Sequence, residues 1–223
     1  MTIHLMKRIQ TTMLLGVVAA MLPATASASI VFTNFAPKLT YDVTQGNPVG
    51  NDFVGDNLAQ GDSFIPSTTT FFSLARLALS CVAGCPAATN FTVDLTADSS
   101  DSPGAIMESF SLSGVTLNAL GNNNTPITVS SVLKRTLFAA TRYWITVSTS
   151  VNYSLVWNNN STGDTNDQAI SSDGGATWFA PSGATPSALE VDGSPTPEPS
   201  TAAFVTAAGL LLGLGRKRLP RAS

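Results

Sequence analysis

The chain has 223 residues, 43% hydrophobic and only 11% charged. That is enough apolar material for one buried core, and it excludes a disordered chain. Between residues 29 and 194 thirteen acidic residues outnumber five basic ones for a net charge of −8, a balance that repels nucleic acid and anionic lipid.

The first 28 residues read MTIHLMKRIQTTMLLGVVAAMLPATASA. Lys7 and Arg8 precede a mostly apolar run from Ile9 to Leu22, and Ala26-Ser27-Ala28 offers the small residues that a signal peptidase accommodates. The segment is expected to be a signal helix cut after Ala28. His4, the only histidine, is removed with it, so neither a Ser-His-Asp nor a Cys-His centre can assemble in the mature chain. Histidine-ligated zinc or iron is excluded on the same ground. Export also places Cys81 and Cys85 of CVAGC in an oxidising compartment, where a disulfide is expected rather than a metal pair.

From residue 29 to residue 194 the signals are those of strands. IVFTNF and LAQGDSFI come first. In FFSLARLALS, Leu77 and Leu79 share a face while Leu74 falls on the other, which a bulge or bend reconciles. CVAGC follows where two neighbouring strands should turn, so its disulfide is expected to pin a hairpin end, contributing less than the roughly 3 kcal/mol of a fifteen-residue loop. FTVDLT alternates strictly, with Phe91, Val93 and Leu95 on one face. AIMESFSLS and ITVSSVL follow, then RYWITVSTS, with Tyr143, Ile145 and Val147 opposite Trp144, Thr146 and Ser148. YSLVW groups Tyr153, Leu155 and Trp157, and ATWF and SALEV close the series. ADSSDSPG, GNNNTP, NNNSTGDTND and SSDGG supply the turns. No segment before the tail sustains a helical period for three turns. The expected fold is all-β, a two-sheet antiparallel β-sandwich of jelly-roll-like form.

The succession LAQGDSF, LARLALS, FTVDLTADSSDSPGAIM, LFAATRYWITVS and a Trp-bearing strand resembles the choice-of-anchor R domain over roughly residues 41–193. The shared positions are core and turn residues, including Ala59-Gln60, Phe64, Pro103-Gly104, Tyr143 and Trp157. The chain departs from the pattern at Ala140, where a glycine is expected. The resemblance implies a bacterial surface protein and no particular activity.

Chemistry in this region is sparse. A carboxylate pair of the glycosidase kind would have to draw on Asp94, Glu108 and Glu190, in or beside strands. Asp94 falls on the polar face of FTVDLT, as a solvated residue would, and no enzyme is expected. Asp98 and Asp101, and Asp164 and Asp167, offer hard oxygen ligands to calcium. Neither stretch has EF-hand spacing, and Asp and Asn stabilise turns without any ion. The expected cofactor set is none, with calcium in these loops as the alternative. For carbohydrate binding, Trp144 and Trp178 are the candidate stacking residues, beside an amide-rich Asn158-Asn159-Asn160 stretch. Trp157 alternates with Leu155 and belongs to the core. The Asn-x-Ser/Thr triplets at Asn90, Asn123, Asn152, Asn159 and Asn160 reflect composition.

Residues 195–223 read PTPEPSTAAFVTAAGLLLGLGRKRLPRAS. Thr201 to Gly215 lacks any charge and as a transmembrane helix would span about 22 Å at about 1.5 Å per residue, short of a roughly 30 Å hydrocarbon core. Arg216, Lys217, Arg218 and Arg221 follow and should remain cytoplasmic. Pro197-Glu198-Pro199-Ser200, an apolar Gly- and Leu-rich helix and Arg216-Lys217-Arg218, in that order, closely resemble the PEP-CTERM sorting signal. The resemblance implies processing at or near Pro197-Glu198-Pro199 by exosortase, a membrane transpeptidase of Gram-negative bacteria that make extracellular polysaccharide.

The expected organisation is a signal peptide (1–28), an extracellular β-sandwich (29–194) and a sorting signal (195–223). The expected life history is a transient inner-membrane tether, then the cell surface or matrix, with signal peptidase and exosortase as processing partners. The expected role is structural or adhesive in the exopolysaccharide layer. A carbohydrate-binding module is the alternative and a carboxylate-dependent hydrolase a more distant one.

Overall fold

A computed structural model describes residues 28–51, 55–82, 88–150, 155–181 and 183–195. The expected signal helix, with Ala26, and the expected transmembrane helix, with Pro197, Glu198, Pro199, Ser200, Arg216, Lys217 and Arg218, lie outside those residues. Among the described residues no helix is long and apolar enough to cross a membrane.

Among the described residues thirteen strands carry the fold: β1 (Ser29–Thr33), β2 (Gly46–Asn51), β3 (Asn57–Phe64), β4 (Thr70–Leu77), β5 (Leu79–Cys81), β6 (Thr89–Asp98), β7 (Pro103–Val115), β8 (Ile127–Ser130), β9 (Thr136–Leu137), β10 (Tyr143–Ser148), β11 (Leu155–Asn158), β12 (Gln168–Ser171) and β13 (Leu189–Ser194). They form two antiparallel sheets. One runs β1-β13-β4-β8, with β9 also on β4; the other runs β5-β11-β2-β3-β10-β6-β7, with β12 also on β3. The only helical turn among the described residues is a 3-10 turn at Pro37–Leu39.

Alternation fixes which faces meet. Phe91, Val93 and Leu95 of β6 and Tyr143, Ile145 and Val147 of β10 pack in one core with Phe72, Ala75 and Leu77 of β4 and Leu189 and Val191 of β13. Both sheets therefore bury their apolar faces against each other, as the sequence pattern requires. Phe64 stands at the centre, its ring 6.1 Å from Phe32 and 5.8 Å from Tyr143.

FFSLARLALS resolves into two strands in different sheets. A register shift leaves Ser73 unpaired between Phe72, opposite Gly193, and Leu74, opposite Asp192. This bulge lets Phe72 and Leu77 both face inward while Leu74 stays outside. The chain then bends at Ala78, whose N–H donates to Ala188 (3.3 Å) and whose carbonyl accepts from Asn158 (2.8 Å), and enters the second sheet as β5.

That crossing corrects the expected hairpin at CVAGC. β5 is an edge strand, and four strands separate it from β6 in the sheet order, so the two are not neighbours. Cys81 is buried at the end of β5; Cys85 lies outside the described residues. ATWF is also not a strand. Phe179 makes one isolated bridge, with Ile170.

Ala140 has φ 57°, left-handed backbone that favours glycine. The expectation of glycine there thus reflects a backbone requirement, which alanine meets at some cost.

Candidate functional site

A pocket of about 530 Å³ lies between two irregular segments, lined by Asp101, residues 163–168 and residues 180–181 and 183–186. Its walls are tied together by hydrogen bonds of Asn160 and of the Asn47–Asn159 pair, which hold loop to loop. Asn160 is buried; its side-chain N–H groups donate to the carbonyls of Pro186 (2.8 Å) and Asp164 (3.2 Å). Its Oδ1 accepts from the N–H groups of Thr162 and Asp164, both at 3.2 Å. Asn47, opposite Trp157 in β2, donates to Thr185 O and to Asn159 Oδ1, each at 3.1 Å. Asn158 is spent elsewhere, in a buried network in which its Oδ1 accepts from Ser80 (2.6 Å) and Ser80 accepts from Asn124 (3.0 Å). These asparagines are therefore framework rather than exposed amides awaiting a sugar.

Arg142, just before β10, closes the rim. It ion-pairs with Asp101 in the β6–β7 turn and, at 2.8 Å, with Asp167. The β6–β7 turn is fixed in turn by Asp98, whose Oδ1 accepts from Trp144 Nε1 at 2.8 Å. Of the four aspartates considered for calcium, Asp98, Asp101 and Asp167 thus have protein partners. Asp164 differs: its Oδ2 is buried without a hydrogen-bond partner. Among the described residues no three His, Cys, Asp or Glu side chains gather to hold an ion.

At the floor lies Gln168, the first residue of β12. It is 5% exposed, and neither its Oε1 nor its Nε2 has a partner. Directly opposite in the adjacent strand is Asp62 of β3, which in turn faces Ile145 of β10. Asp62 therefore points to the core side of the sheet and is 1% exposed. Its Oδ2 accepts from Ser187 N (3.2 Å), and its Oδ1 has no partner. Burial pushes this carboxyl up to about 7; the hydrogen bonds from Ser187 oppose the rise and the charge of Asp164 adds to it. Sequence analysis missed Asp62 and Gln168, although parity with Phe64 in LAQGDSF placed Asp62 on the inward face.

The three acids weighed for catalysis are dispersed. Glu108 Oε1 accepts from Val132 N (2.8 Å) and Leu133 N (3.0 Å), and Oε2 from Ser131 Oγ (2.7 Å). Burial pushes the Glu108 carboxyl up, but these bonds, with Arg135 nearby, outweigh that and hold it below its ordinary value. Glu190 and Asp192 share Arg76 on the outer face of the smaller sheet. Asp94 is half-buried on β6, its pKa raised by burial against a hydrogen bond from Ser109.

Of the two tryptophan candidates, Trp144 needs correction. Trp144 is fully buried and cannot stack on a sugar from solvent. Trp178 is half-buried, and its ring lies over Gly61, where a Cβ would sit 3.5 Å from it and 3.0 Å from Pro103. The missing side chain at Gly61 makes the seat for both. Trp178 is carried there by a turn in which Asp173 accepts from Thr177 N (2.8 Å), Thr177 Oγ1 (2.7 Å) and Ser171 Oγ (2.7 Å). Bonds from Thr177 and Ser171 hold the Asp173 carboxyl down to about 2. Neither tryptophan lines the pocket. Compared with known proteins, the chain matches no family model and no curated protein.

Proposed function

We propose that the chain is an exported cell-surface protein, held to the inner membrane by its C-terminal segment until an exosortase-like enzyme cuts near Pro197-Glu198-Pro199, and that residues 29–194 then serve as a structural or adhesive domain in an extracellular polysaccharide layer. The observation that carries this reading is the pairing of β1 with β13, which sets Ser29 opposite Gly193. The two flanking segments, each apolar and each with basic residues, therefore leave the domain side by side. Such an exit suits a domain that hangs from one membrane during processing. Ala28, at the expected cleavage point, is exposed just ahead of β1, where a peptidase can reach it.

The pocket supports the outward-facing half of the proposal. Thr185 and Pro186 precede β13, whereas the chain leaves from the other end of that six-residue strand, roughly 17 Å away at about 3.4 Å per residue. The pocket and the point where the chain leaves the domain are thus at opposite ends of β13. We read the fold as jelly-roll-like because the chain alternates between sheets, with β1, β4, β8–β9 and β13 in one and the intervening strands in the other.

The test is replacement of Pro197, Glu198 and Pro199 by alanine in the native cell. The proposal expects a larger, membrane-bound precursor to accumulate while the unaltered protein reaches the surface. Identical size and distribution of the two proteins would refute it.

A further inference from the structure

We propose that the pocket between residues 163–168 on one side and residues 180–181 and 183–186 on the other is a binding site for a saccharide unit, and that it takes neutral or amino sugars in preference to uronic acids. The inference rests on unpartnered polar atoms. Gln168 lines the pocket, is nine-tenths buried, and leaves both Oε1 and Nε2 without a partner; Asp164, also lining it, leaves Oδ2 buried and unpartnered. An unmade hydrogen bond at a buried group is expensive; these three atoms are closed to water in the fold as described, and a small rotation of the two side chains towards the pocket they line would give each a partner on an occupant. The occupant must donate to a carboxylate oxygen and must both donate to and accept from an amide. A hydroxyl does both.

Competing occupants fit less well. A bare cation would satisfy Asp164 Oδ2 and Gln168 Oε1 but would leave Nε2 unpaired, and the described residues gather no third acidic ligand. A single ordered water accounts for only about 30 Å³ of a cavity of about 530 Å³. That volume falls within the roughly 300–1,000 Å³ of small-molecule sites. Ala180, Pro181 and Pro186 supply an apolar wall for the C–H face of a pyranose.

Charge selects among sugars. Asp101, Asp164 and Asp167 all line the pocket, and the terminal guanidinium nitrogens of Arg142 are committed to Asp101 and Asp167. A carboxylate or phosphate on the ligand meets repulsion here, whereas an ammonium or a hydroxyl does not. The two walls are held before any ligand arrives, since Asn160 ties Asp164 to Pro186, which limits the ordering cost of binding.

This deepens the adhesive reading above and relies on it for the choice of saccharide. Its test measures binding in solution, so its failure would leave export and processing untouched. The full chain, held in a sugar-free zwitterionic detergent, is titrated calorimetrically with trisaccharides of glucose, galactose, mannose and N-acetylglucosamine, with the glucosamine trimer and with trigalacturonate. At least one of the first five is expected to bind, trigalacturonate is not, and Gln168→Leu is expected to weaken binding at least tenfold. Because leucine removes unpartnered atoms from a buried position, the same variant should melt no lower than the unaltered chain. Asp164→Asn should keep the fold and relax the discrimination against trigalacturonate. Absence of binding by all six at about 10 mM, binding of trigalacturonate alone, unchanged affinity in Gln168→Leu, or stabilisation by calcium chloride that Gln168→Leu abolishes would each overturn the proposal.

Discussion

Asp62→Asn offers the sharpest energetic test of the site. Asp62 sits on the core side of β3 with one oxygen accepting from Ser187 and the other unpartnered, and burial raises its pKa from 3.8 to about 7. Between those values the folded state holds a proton that the unfolded chain has released. Stability from this group is therefore fully present below pH 4, falls as pH rises, and levels off above pH 7. A rise of about three units at about 1.4 kcal/mol each gives a native-state penalty of about 4 kcal/mol at pH 8. Asparagine has the shape of the protonated acid and does not ionise. Urea unfolding of both proteins from pH 4 to pH 8 should show Asp62→Asn up to about 4 kcal/mol more stable at pH 8, with the advantage vanishing towards pH 4. Taking the difference cancels carboxylates with lowered pKa values, such as Glu108. A difference that is flat with pH, or an Asp62→Asn protein less stable at pH 8, would refute the reasoning.

Three further substitutions test the framework. Glu108→Ala removes the acceptor for three hydrogen bonds on the loop after β8 and should cost about 3 kcal/mol in denaturant unfolding at pH 7. That cost should shrink as pH falls below 4.5, because a carboxyl with a lowered folded pKa stabilises only above its unfolded value. Gly46→Ala places a Cβ 2.6 Å from Trp157 O and 2.8 Å from Asn158 Cα; backbone cannot yield as a side chain can, so a loss of about 3 kcal/mol is expected. Ala140→Gly relieves a left-handed alanine and should raise stability by about 1 kcal/mol, read as a higher melting temperature.

Alternation made the core legible. Phe91, Val93 and Leu95, and Tyr143, Ile145 and Val147, face inward as their spacing requires, because a half-buried strand can satisfy only one face with water. Trp144 was not legible, since what covers the outer face of a sheet depends on distant chain, here a β6–β7 turn whose Asp98 accepts its indole N–H. Likewise CVAGC looked like a hairpin because closeness in sequence suggests pairing, whereas the bend at Ala78 carries β5 into the other sheet. The pocket was half visible. Asp164 and Asp167 drew attention as acids in a turn, but Gln168 and Asp62 became significant only through register across β3 and β12. An unpaired buried atom is a three-dimensional fact.

Mass spectrometry of the protein recovered from its native cell envelope tests the central claim most directly. Export with processing at both ends predicts a chain that begins at Ser29, ends at or near Pro197-Glu198-Pro199, and lacks the C-terminal LPRAS. A chain that still carries LPRAS, or that retains Met1 through Ala28, would contradict it.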